Sequence, residues 1–100
     1  MTILSEQIKQ RFDHEAAKQT LKEKYEAKLI FALDGGMWCA NPTLIVLLDS
    51  IQDIEEPVIL DLYNNPVRIK RVLLLTECKQ RWQEQMNAWL VELAEVNKQR

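Results

Sequence analysis

The chain has 100 residues, 47% of them apolar and 28% charged, with a formal net charge of −2. Residues 1–100 therefore read as one domain, long enough to bury roughly two-thirds of the surface its unfolded form exposes. The charge gives no electrostatic reason to expect nucleic acid, which attracts basic surfaces, and suggests no polybasic segment of the kind that holds a protein to a membrane, and no apolar run nears the ~20 residues of a membrane helix.

Residues 5–26, SEQIKQRFDHEAAKQTLKEKYE, predict a helix. Ser5 is the expected N-cap, and alanine, lysine, glutamate and glutamine dominate without Gly or Pro. Its apolar stripe is thin: Leu4, Ile8 and Phe12, then Ala17, Leu21 and Tyr25. The two halves are offset around the axis, which suits a helix lying over a core or packed on another subunit.

Residues 28–40 predict a β-hairpin, with Asp34-Gly35-Gly36 supplying the positive φ that a tight turn needs. Leu29, Phe31 and Leu33 point to one face, Ile30 and Ala32 to the other. Both faces are apolar, so both are expected to be covered. Asn41-Pro42 then opens a short helix, Asn as cap and Pro at the first helical position. Leu44, Leu47, Leu48 and Ile51 follow helical spacing, and the helix ends in the acidic connection 49–56.

Pro57 leads into a second hairpin, PVILDLYNNPVRIK. A two-residue Asn64-Asn65 loop pairs Leu62 with Val67, Asp61 with Arg68 and Leu60 with Ile69. Pro66 disfavours the left-handed conformation that this loop requires at Asn65, so a three-residue loop is an open alternative. The last element, about Arg71–Asn97, is a long helix with Val72, Leu75, Trp82, Met86, Trp89, Leu93 and Val96 at spacings of three, four and seven. At 1.5 Å per residue it spans ~39 Å, long enough to overhang a compact core. The fold class is α+β, in the order α-ββ-α-ββ-α: two antiparallel hairpins packed with three helices.

No catalytic constellation emerges. His14, the only histidine, sits in Asp13-His14-Glu15, whose adjacent residues point in different directions on a helix. The glycines of the first turn lack the Lys-Ser/Thr of a phosphate-binding loop. The carboxylates Asp49, Asp53, Glu55 and Glu56 read as a solvated connection, and Cys39 and Cys78, without CxxC spacing, as two reduced, buried thiols. The expectation is a protein that is not an enzyme, with no metal and no cofactor. Trp82, Met86, Trp89 and Leu93, together with Trp38, are the candidate interface residues, because tryptophan anchors interfaces; Trp82 and Trp89 fit a core position equally, and an aromatic beside a hairpin turn, as Trp38 is, normally belongs to the core.

Two stretches, KLIFALDGGMWCANPTLIVLL and LDLYNNPVRIKRVLLL, with the tail RWQEQMNAWLVEL, resemble small proteins of tailed bacteriophages of the T4-like group. The resemblance spans roughly residues 28–93. It implies a viral gene product made in the host bacterial cytoplasm and carried in the virion or used in its assembly. On that footing the expected role is contact with protein partners, either as a homo-oligomer or against a phage structural protein. The alternative is a small phage-encoded inhibitor or regulator that binds a host enzyme.

Overall fold

A computed structural model describes the backbone of residues 2–98 and the side chains of residues 6–98. The element order is α1 (Thr2–Lys28), β1 (Ile30–Leu33), β2 (Gly36–Cys39), α2 (Pro42–Ser50), β3 (Val58–Leu60), β4 (Pro66–Arg68) and α3 (Arg71–Lys98). This is the expected α-ββ-α-ββ-α arrangement, an α+β fold with two separate two-stranded antiparallel sheets. The helix α1 begins at Thr2, so Ser5 lies inside it rather than at its cap. The side chains of Leu4 and Ser5 lie outside the described residues.

The molecule measures 63 × 24 × 21 Å, with a radius of gyration of 18.6 Å. A compact chain of this length has a radius of ~13 Å. The excess comes from α1 and α3, which pack as an antiparallel pair. Arg81 lies over the Phe31 ring, Tyr25 stacks on Trp89, and Lys24 binds Glu92, so partners on α3 rise in number as those toward the N-terminus of α1 fall. Hairpins, α2 and the first part of α3 form a head; the paired helices form a stalk.

The head is built on local signals. Asp34 and Gly35 both have positive φ, 52° and 82°, the type I′ turn whose twist matches a hairpin. It sets the register Leu33↔Gly36 to Ile30↔Cys39. The Trp38 indole lies back across Gly36 and donates from Nε1 to the Leu33 carbonyl at 2.8 Å. A Cβ at Gly36 would sit 2.7 Å from that ring, so only glycine fits beneath it. Asn41 caps α2, its Oδ1 accepting from Leu44 N at 2.9 Å, with Pro42 at the first position.

The second hairpin departs from the two-residue expectation. Its register is Val58↔Arg68, Ile59↔Val67 and Leu60↔Pro66. Asp61 N donates to Asn65 O at 2.9 Å and Asn64 N to Asp61 O at 3.0 Å, which makes Leu62-Tyr63-Asn64 a three-residue turn. Asn64, not Asn65, takes the left-handed conformation, with φ 64°. The cause is Pro66. A two-residue loop requires it to donate a hydrogen bond to Tyr63, and proline has no N–H. In the register that forms, Pro66 faces outward and no donor is missed. Arg68 therefore does not meet Asp61; its Nη1 donates to Glu56 O at 3.3 Å.

The core consists of Leu29, Phe31, Trp38, Ala40, Leu48, Ile69, Leu74 and Cys78, with Leu44, Ile45, Ile59, Leu75 and Trp82 packed against it. One face of the first hairpin is thus buried. The other is not: Ile30 and Ala32 are exposed, so the chain itself covers one of the two faces expected to be covered. No helix among the described residues is long and apolar enough to cross a membrane.

Candidate protein-contact surface

The sequence-selected residues separate into three environments. Trp38 is 1% exposed and belongs to the core, so it presents nothing to a partner. Trp82 is half-buried where the head meets the stalk. Met86, Trp89 and Leu93 continue down α3 and are half-buried. Trp89 stacks on Tyr25 with ring centroids 6.0 Å apart and planes 7° from parallel. The stripe that looked bare in sequence is therefore partly covered by the chain's own α1.

Polar groups hold that stalk contact. Glu92 Oε1 accepts from Lys24 Nζ at 2.7 Å and from the Tyr25 hydroxyl. The hydrogen bond from Lys24, then that from Tyr25, keeps the Glu92 carboxyl below its ordinary range. The same Glu92 bond raises the Tyr25 hydroxyl. The ammonium of Lys28 sits 4.9 Å from the Tyr25 ring centroid, a cation over an aromatic face.

In the head, Asp61 joins the two hairpins. Its Oδ1 accepts from the N–H groups of Tyr63 and Asn65, both at 2.9 Å, and its Oδ2 from Met37 N at 3.2 Å. Leu62 N donates to Met37 O at 2.7 Å. Met37 lies between hydrogen-bonded pairs of the first hairpin, so its own N–H and C=O point outward. The 61–62 segment satisfies both and closes the β2 edge. The bonds from Asn65, Met37 and Tyr63 hold the Asp61 carboxyl below its ordinary range. This is a structural carboxylate. The sequence signal for it was Asp followed three and four residues later by Asn, the composition of a side-chain-capped turn.

Cys39 and Cys78 both meet the core and are free thiols. Burial pushes the Cys78 thiol up to about 11 and raises Cys39 as well, the opposite of what activates a nucleophile. Among the described residues no group of three or more His, Cys, Asp or Glu is placed to hold a metal ion.

What the surface does offer is apolar relief. A groove of about 430 Å³ lies between α2 and α3, lined by Pro42, Ile45, Val46, Lys79, Trp82 and Gln83. A second hollow of about 370 Å³ shares Pro42 and Trp82 and extends toward Glu26 and Cys39. Trp82 thus stands at the junction of two adjoining depressions. Farther along the stalk, Trp89 and Leu93 lie in a shallow depression edged by Glu15, Lys18, Gln19 and Lys22. Large apolar side chains stand in the open beside it and beyond it: Leu90, between Trp89 and Leu93 on α3, is 68% exposed, and Ile8 and Phe12, farther out on α1, are 62% and 73% exposed. Leu90 carried no mark in the helical spacing, and Ile8 and Phe12 read in sequence as part of one drifting stripe. No family model, no curated protein and no solved structure matches the chain.

Proposed function

We propose that the chain works by protein–protein contact, without catalysis, as a minor virion or assembly component of a tailed bacteriophage of the T4-like group. The observation that carries the contact reading is the apolar surface that runs from the head along the stalk. Exposed apolar residues and an apolar groove are distributed along a body 63 Å long, where a folded chain of this size ordinarily leaves only scattered apolar residues in water. The phage assignment is supported by the resemblance of residues 28–93.

The test is quantitative mass spectrometry of purified particles and of assembly intermediates from infected cells. The expected result is the protein at a fixed copy number in one or the other. Absence from both overturns the assembly role, and stoichiometric recovery with a host enzyme instead supports the regulator reading.

A further inference from the structure

Along α1, Ile8, Phe12, Glu15, Gln19, Lys22 and Glu26 follow at alternating intervals of four and three, so they share one flank. Glu15, Gln19 and Lys22 edge the Trp89 and Leu93 depression, and Glu26 reaches the hollow beside Trp82. That flank therefore looks to the same side as the groove. On α3, Lys79 and Gln83 line the groove, and Leu90 stands two turns beyond Gln83 on the same side. The residues of α1 buried against α3, Leu21 and Tyr25, lie on a different flank. Leu21 follows Phe12 by nine residues, about two and a half turns. The offset between the two halves of the α1 stripe thus corresponds to two faces, of which α3 covers one and leaves Ile8 and Phe12 exposed on the other.

One side of the molecule carries an apolar groove at the head, Leu90 partway down, and the pair Ile8 and Phe12 at the far end. Using the Tyr25–Trp89 contact as a common level, Phe12 lies ~20 Å beyond it and Trp82 ~10 Å before it. The pair on α1 and the groove between α2 and α3 are ~30 Å apart along the length of the stalk, and α1 is one unbroken helix between Phe12 and Tyr25, so a chain cannot fill its own groove. Leu90 lies within ~3 Å of the midpoint between them.

We infer that the occupant is a second copy, lying side by side and antiparallel on this face. Each copy places Ile8 and Phe12 in the Trp82 groove of the other, and Leu90 from both copies lies near the two-fold axis. A two-fold contact brings the ~30 Å spacing into register in both directions at once and closes on itself. The face is two helices wide and ~30 Å long, about 600 Å² per copy, approaching the ~800 Å² per partner of a stable interface. Its charged residues are of both signs, Glu15 and Glu26 beside Lys18, Lys22 and Lys79, so the face carries no large single-sign field that would hold like faces apart. The inference rests on the protein-contact reading and names one partner within it.

The test is light scattering during size exclusion of the full chain over roughly 10–200 μM, a range that brackets an interface of this size. The expected mass is twice 11.8 kDa. Phe12→Glu and Val46→Glu, at opposite ends of the face, are each expected to weaken the dimer by about 100-fold or more. Both residues are exposed, so the helical circular dichroism of each variant stays unchanged. Leu60→Glu, exposed on β3 and lining neither depression, leaves the dimer intact. A monomer across the whole range overturns the inference, as does a dimer indifferent to both Phe12→Glu and Val46→Glu. A monomer found in particles overturns this inference alone. A dimer of this kind absent from particles and intermediates overturns the assembly role alone.

Discussion

Phe31 and Phe12 are the chain's only phenylalanines, and they have opposite fates. Phe31, in the head, is 6% exposed, with the core on one side and the Arg81 guanidinium 4.5 Å from its ring centroid on the other. Phe12, on the stalk, is 73% exposed. Around Phe31 each neighbour has a specific reason for its place: Trp38 across Gly36, Asn41 capping α2, Asp61 closing the β2 edge. Around Phe12, Arg11, Asp13 and His14 are successive positions of a regular helix, with no turn or cap to fix them individually. Short-range stereochemistry and dense burial over-determine the head, whereas the stalk rests on buried Leu21 and Tyr25, a few half-buried residues and the Glu92 cluster. Burial is concentrated in the head, whereas exposed apolar surface is found on both parts, at the Trp82 groove of the head and at Ile8, Phe12 and Leu90 of the stalk.

The strongest way to break that contrast is Trp38→Ala. Removing a fully buried indole from the core is expected to cost about 3–5 kcal/mol, read as a drop in the denaturant midpoint of the whole chain. An unchanged midpoint would mean that the head is not the stable unit. Gly36→Ala comes next, at about 1–3 kcal/mol, because the added methyl meets the Trp38 ring rather than a flexible chain end. The paired variant Gly36→Ala with Trp38→Phe is expected to recover part of the loss.

Acid sharpens the comparison further. The Asp61 carboxyl is lowered in the folded state, so its contribution is present above the unfolded value of about 3.9 and lost as pH falls through the folded value. Glu92 behaves likewise in the stalk. Below about pH 4, amide exchange should therefore rise at Met37, Tyr63 and Asn65 in the head and around Tyr25 and Glu92 in the stalk. Asp61→Asn is expected to make the head component insensitive to pH and leave the stalk component in place.

Tyr25→Phe removes the hydroxyl bond to Glu92 and keeps the ring on Trp89. It is expected to lower the thermal midpoint less than either head variant, with faster amide exchange confined to the stalk. The smallest effect is chemical rather than energetic. A thiol reagent should modify half-buried Cys39 well before Cys78, whose thiol is buried and raised to about 11. Equal rates at the two sites would show that the head opens as readily as its surface.

Much of the head was legible in sequence because its signals act within a few residues. Asp34-Gly35 specified a type I′ turn, Asn41-Pro42 a helix start, and the apolar period the long C-terminal helix. The two-residue form of the second hairpin failed at one atom, the missing N–H of Pro66, which outweighed the charge pairing of Asp61 with Arg68. Asp61 itself read as half of an ion pair and is a turn cap and edge cover, because its third donor, Met37 N, lies 24 residues away. Trp38 read as either a core aromatic beside a turn or a candidate contact, and the structure places it in the core.

The sequence by itself determined the order of elements, the first turn and the α2 cap, for these depend on backbone stereochemistry and neighbours close along the chain. The tertiary structure alone decided which apolar residues are spent inside the chain and which remain outside. Period and composition give Leu21 and Phe12 equal claims to burial. The antiparallel partner α3 reaches one flank of α1 and not the other, and that long-range contact makes Leu21 core and leaves Phe12 on the surface.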